Sequence, residues 1–222
     1  MKKFELTTEF ITNAFEKKLF RIKALVEFGD VKAGEIGGYV EKEENVSQYG
    51  NAWVYGNACV YGNACVSGNA WISGNAWVSG NAEVSGNACV YGNAWTSGNA
   101  EVSGNACVSG NAWVSGNACV YGNARVSGNA RVSGNAWVSG NARVYGNADY
   151  ALIQGFGTEF RCTTFYRGKN KKIMVNCGCF HGDLEQFIEQ VKETRSGKIE
   201  KEYLMIADLM EYHFASEDSS DE

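Results

Sequence analysis

The chain has 222 residues, 45% hydrophobic and 20% charged, with a formal net charge of −5. That composition excludes a disordered polymer, and the acidic balance argues against nucleic-acid binding, which needs a basic footprint. No run approaches the roughly 18 apolar residues of a membrane span, and eight cysteines without a leader-like apolar core in MKKFELTTEFITNAFEKK point to a reducing, cytoplasmic setting.

Residues 1–49 carry 8 Lys/Arg and 9 Asp/Glu. Phe20, Ile22 and Ala24 alternate with charged residues, which predicts a half-buried strand. Gly29-Asp30 and Gly37-Gly38 read as turns. The segment is expected to be an N-terminal β cap.

From Gly50 the pattern changes. Gly-Asn-Ala recurs every six residues up to Gly146, in 17 copies. Such periodicity marks a solenoid, whose units pack mainly on their neighbours, and the array is expected to fill residues 50–150. In each unit, Ala, a variable residue, Val and then Ser or Tyr alternate with the period of a strand. Ala and Val would face a narrow interior, and the variable residue and Ser/Tyr would face out. Gly-Asn would form the corner, because these residues best tolerate left-handed backbone angles. Stacked Asn side chains can form amide ladders between coils. Geometry thus accounts for Gly and Asn, and neither is given a functional role. The absence of proline suits uninterrupted pairing.

An aliphatic residue followed four positions later by a small one, in tandem hexapeptides, resembles the left-handed parallel β-helix superfamily. The resemblance implies a mainly β chain: a single-stranded left-handed parallel β-helix with 18 residues per triangular coil. The variable column gives an independent check. Identical residues recur three units apart in 6 of 14 comparisons, against 3 of 16 at one unit, 2 of 15 at two and 4 of 13 at four. The array would then make just under six coils, roughly 27 Å long at a strand spacing of about 4.8 Å.

Sorting the column by threes gives three outer faces. The first carries Trp53, Trp71, Cys89, Cys107, Arg125 and Arg143; the second Cys59, Trp77, Trp95, Trp113, Arg131 and Asp149; the third Cys65, Glu83, Glu101, Cys119 and Trp137. Trp77, Trp95 and Trp113 are expected to form one ladder, flanked by Ser79, Ser97 and Ser115. A contiguous apolar stripe of this kind marks an interaction site. These three are the candidate binding residues, followed by Trp53 and Trp71. A second copy of the chain or the terminal segments would cover the ladder, and a foreign partner is the other occupant considered. Arg125, Arg131 and Arg143 read as an anion site or, preferably, as a solvated face.

Residues 151–215 are predicted as a ββαα unit. A hairpin turns at Gly168-Lys169-Asn170. Asp183 and Gln186 form a capping box ahead of a helix with Leu184, Phe187, Ile188 and Val191 on one face. Ser196-Gly197 ends it, and a second helix spans about 200–214. The acidic tail 216–222 is expected to be disordered.

The flanks FGDVKAGEIGGYVEKEENVS and NCGCFHGDLEQFIEQV, set around Tyr/Ser-Gly-Asn-Ala repeats, resemble proteins encoded by phages and prophages and often described as transferases or polymer-forming proteins. The wider superfamily includes acyl and sugar-nucleotide transferases, which place a histidine base near the solenoid. Here residues 50–148 contain no histidine, and Glu83 and Glu101 are the only carboxylates. A hydroxyl acceptor needs a positioned base, so no catalytic residue is assigned and the chain is read as not an enzyme.

Cys162, Cys177, Cys179 and His181 could meet as a zinc site, yet Cys-Gly-Cys lacks the usual two-residue spacing, and buried structural cysteines are the preferred reading. No metal or cofactor is expected. Cys89 and Cys107 should be neighbours on adjacent coils, where a disulfide is geometrically conceivable but disfavoured by a reducing cytosol. The overall expectation is a non-catalytic binding or scaffold protein. It would self-associate as a homo-oligomer, have no membrane or nucleic-acid partner, and engage a host protein. The alternative is a hexapeptide-repeat transferase.

Overall fold

Val and Ala dominate the inward columns, and their small branched volumes set a thin prism. In the computed structural model, which describes residues 2–169 and 171–215, these columns are buried throughout the array. The tail 216–222 lies outside the described residues.

The chain opens with an antiparallel hairpin, β1 (Phe4–Thr12) and β2 (Lys18–Ala24), followed by β3 (Ile36–Val40). The strand expected at Phe20–Ala24 falls within β2, with Ile22 and Ala24 buried and Phe20 partly so. Sixteen two-residue strands, β4 to β19, then run from Trp53–Val54 to Arg143–Val144. Each joins a variable residue to Val, Ile72 or Thr96 and pairs in parallel with a strand three units away, so Trp53 lies beside Trp71 and Glu83 beside Glu101. The result is a β-solenoid of about six turns with three parallel sheets.

The corners follow from backbone chemistry. Gly50 to Gly140 all adopt positive φ, from 60° to 74°. Each corner lies against the next coil: Asn81 N donates to Gly98 O at 2.7 Å. The Asn side chains repeat this one layer out. Asn81 Nδ2 donates to Asn99 Oδ1 at 2.9 Å, and Asn99 Nδ2 to Asn117 Oδ1 at 3.0 Å. Three such ladders follow the three corners.

The ladder extends before the first Gly-Asn-Ala. Tyr39–Val40 of β3 pairs in parallel with Cys59–Val60, and Val46 bridges Val66. Gly37-Gly38, expected as a turn, instead lies inside β3. A Cβ on Gly37 would stand 2.6 Å from Val54 O, and one on Gly38 2.6 Å from Ala58 O. Close approach to the next coil, not a reversal, requires these glycines.

Gly146 ends the series with a φ of −148°, and Asn147–Asp149 form a 3-10 turn. Asp149, expected on the second face, is drawn out of it. Its carboxylate accepts from the Tyr145 and Gly146 amides and pairs with Arg167 at 3.1 Å. After this turn come four antiparallel strands, β20 (Tyr150–Phe156), β21 (Arg161–Arg167), β22 (Ile173–Cys177) and β23 (Phe180–Asp183), and the helices α1 (Leu184–Thr194) and α2 (Gly197–Phe214). The sequence showed only the central hairpin of this sheet. Its outer strands lack alternation: Tyr150–Phe156 is nearly all apolar before its glycine, and Phe180–Asp183 is four residues long. The capping box is present, with Gln186 N donating to Asp183 Oδ1 and Asp183 N to Gln186 Oε1, both at 3.0 Å.

Open solenoid ends expose unpaired strand groups. Here side chains satisfy them. At the N-terminal end, Lys3 Nζ donates to Ala52 O at 2.9 Å and Asn45 Nδ2 to Ala64 O at 2.8 Å. At the C-terminal end, Trp137 N donates to Thr164 Oγ1 at 3.0 Å, Arg131 N to Asn147 Oδ1 at 2.9 Å, and Asn176 Nδ2 to Trp137 O at 2.7 Å. Tyr166 closes the core and meets Ser139 Oγ through its hydroxyl at 3.2 Å.

Candidate functional site

The 18-residue coil decides which variable residues meet. Trp77, Trp95 and Trp113 are register partners in one sheet, as the sequence predicts. Their rings meet along the ladder: Trp77 to Trp95 at 5.8 Å, tilted by 50°, and Trp95 to Trp113 at 5.0 Å, stacked at 11°. Each such contact contributes about 0.5–1.5 kcal/mol beyond area burial. Trp95 Nε1 donates to Ser79 Oγ at 3.4 Å, so the small flanking serine leaves room for the indole. Trp77 and Trp95 are half-buried by their neighbours, and Trp113 is 36% exposed.

The stripe is longer than the three tryptophans. Tyr61 packs edge-on against Trp77 at 5.8 Å, and Leu19, Tyr39 and Cys59 continue the apolar surface beneath the N-terminal hairpin. Arginines bracket it: the Arg21 guanidinium lies 4.4 Å over Tyr39, and Arg131 lies 5.5 Å over Trp113. The tyrosines had a signal in the sequence. Tyr55, Tyr61 and Tyr121 each precede a tryptophan by 16 residues, and all three pairs make ring contacts.

The other two candidate tryptophans do not join this stripe. Trp53 is not on the surface at all. The N-terminal hairpin and its following loop close over it, with Phe4 at 5.8 Å and Phe28 at 5.3 Å, and its exposure is 0%. Capping the first coil needs a large ring there, so Trp53 is a core residue. Trp71 is 42% exposed but sits on a different sheet, stacked on Tyr91 at 6.0 Å. It borders a groove of about 500 Å³ with Tyr55, Asn51, Asn69 and Asp30.

The remaining candidates separate as well. Arg125 and Arg143 are register partners, whereas Arg131 is on the aromatic face, so the three do not form one cluster. Glu83 and Glu101 lie side by side and exposed. Cys177 and His181 fall on opposite strands of a tight hairpin that turns at Gly178, φ +60°. Cys162 Sγ donates to Asn135 O at 3.3 Å instead of turning toward them. Among the described residues no three His, Cys, Asp or Glu side chains converge as a metal site. His181 Nδ1 pairs with Asn176 Oδ1 at the solenoid end, away from both glutamates in the chain's fold order.

No helix is long and apolar enough to cross a membrane among the described residues. No curated protein matches the chain. A family model described as the YdcK beta solenoid repeat matches residues 100–116, 118–134 and 124–140, so the chain is similar to that repeat over its later coils.

Proposed function

We propose that this β-solenoid is a non-catalytic binding and scaffold protein whose Trp77–Trp95–Trp113 face docks a second copy of the chain. One observation carries the reading: an aromatic stripe runs along one sheet of the solenoid, and among the described residues its end at Trp113 is 36% exposed. A contiguous apolar stripe suits a dry protein contact. A repeat also complements itself, because two copies share the same coil spacing and can interleave their ladders about a two-fold axis. The regular backbone supplies stiffness, and the exposed carboxylates Glu83 and Glu101 have no histidine beside them in the array. The resemblance of the flanks to phage and prophage proteins extends the proposal. On that basis the chain is phage-encoded, acts in the bacterial cytoplasm, and offers the same face to a host protein.

Native mass spectrometry of the chain, captured gently from bacterial lysate, tests this reading. A homo-oligomer is the expected result. A strictly monomeric species carrying an acyl-CoA or a nucleotide sugar would overturn it in favour of a transferase.

A further inference from the structure

The outward column brings two thiols together at one place. Cys89 and Cys107 are register partners on adjacent coils, and the Cys89 thiol donates to Cys107 Sγ at 2.7 Å. The other array cysteines have different partners: Cys59 lies between Tyr39 and Trp77, Cys65 beside Glu83, and Cys119 between Glu101 and Trp137. Both sulfurs of the pair are on half-buried residues at the surface. Adjacent parallel strands lie about 4.8 Å apart, inside the roughly 4.4–6.8 Å Cα separation that a disulfide spans. Closing the bond needs side-chain rotation and a small tilt of the two strands, because parallel Cβ vectors keep the Cβ atoms near the strand spacing and a disulfide brings them to about 3.5–4.5 Å. Arg125 follows Cys107 in the same ladder and places a cation beside it.

We propose that Cys89 and Cys107 form a redox-active dithiol that closes to an intercoil disulfide when a low-molecular-weight disulfide is the oxidant. The Cys107 thiolate attacks one sulfur of that oxidant, whose S–S bond breaks and releases one thiolate, protonated by solvent. The mixed disulfide at Cys107 is then attacked by Cys89, which gives its proton to solvent, and a second small thiol leaves. The protein loses two thiol hydrogens, and the oxidant is reduced to two thiols. The division of labour follows the surroundings. The hydrogen bond from Cys89 lowers the Cys107 thiol to about 6 against its partial burial, with help from Tyr91 and Arg125, and the same bond raises Cys89. The remaining array thiols are shifted the other way. Burial pushes Cys59 up to about 11, and burial followed by Glu83 or Glu101 raises Cys65 and Cys119.

The test uses the full chain equilibrated across a series of oxidised and reduced glutathione. Free thiols are then blocked with iodoacetamide in denaturant and the chain is cut after glutamate without reduction. Cleavage after Glu83, Glu101 and Glu159 puts Cys89 in peptide 84–101, and Cys107 with Cys119 in peptide 102–159. The expected product is a disulfide between these two peptides, lost in Cys89→Ser and in Cys107→Ser and kept in Cys119→Ser. The proposal is overturned if wild type yields only alkylated or glutathione-bearing peptides at every ratio. It is equally overturned if the link survives Cys107→Ser. Where a variant folds poorly, fragment-ion sequencing of the wild-type linked peptides decides the matter: a link at Cys107 supports the proposal and a link at Cys119 overturns it.

Discussion

Replacing Gly98 with alanine separates two reasons for the corner glycine. The first is conformational. Gly98 has φ +70°, and an L side chain in the left-handed region costs about 1–2 kcal/mol. The second is contact. A Cβ at Gly98 would stand 2.8 Å from Gly116 O and 2.9 Å from Gly116 N, both backbone atoms that cannot swing aside. Relieving this means opening the coil spacing where Asn99 N donates to Gly116 O at 2.7 Å. Overpacking of this kind adds about 1–3 kcal/mol. Gly56 supplies the control. Its φ is +60°, but its Cβ would meet nothing closer than Gly74 O at 3.7 Å. Gly56→Ala should therefore lose about 1–2 kcal/mol and Gly98→Ala about 2–5 kcal/mol. Urea unfolding followed by tryptophan fluorescence and far-ultraviolet circular dichroism reads the difference, compared as midpoints at equal slope. Equal midpoints for the two variants would refute the claim that coil contact, beyond φ alone, requires glycine.

Three further outcomes follow from the core and the caps. Thr96 interrupts the inward Val column, and its buried Oγ1 has no hydrogen-bond partner, so Thr96→Val should raise stability by about 1–3 kcal/mol in the same assay. Burial lowers the Lys3 ammonium to about 8 from 10.5, so the unfolded chain binds this proton more tightly across that interval. Stability should rise with pH between those values, and Lys3→Met should flatten the rise, as read by urea midpoints at stepped pH. Asn176→Ala leaves Trp137 O without its 2.7 Å donor and Ser139 Oγ with the Tyr166 hydroxyl as its remaining side-chain contact, and should cost about 1–3 kcal/mol, read from the thermal midpoint.

The array was legible because its period is written into every unit. Once coils of three units were inferred, the register of Trp77, Trp95 and Trp113 followed, since parallel pairing repeats the same 18-residue offset throughout. What was not legible lies at the ends, where long-range covering replaces periodicity. Trp53 has the same place in its unit as Trp71, yet Phe4 and Phe28 bury it. Nothing in its own hexapeptide records that. Gly37-Gly38 looks like a turn in a one-dimensional reading, because two glycines serve reversal and close approach equally well. Asp149 continues the column numerically but answers to Arg167, 18 residues further on in a segment outside the repeat. The Tyr-to-Trp offset of 16 was present in the sequence, and it needed the coil geometry to give it meaning.

The central claim is that the aromatic stripe is a self-association face, and light scattering coupled to size exclusion tests it most directly. Wild type is compared, over a range of loading concentrations, with the variant carrying Trp77→Ser, Trp95→Ser and Trp113→Ser together. Circular dichroism confirms that the solenoid persists in both. The account predicts a defined oligomer for wild type and a monomer for the variant. A wild-type monomer at every concentration, or a variant with the unchanged oligomeric mass, would contradict it.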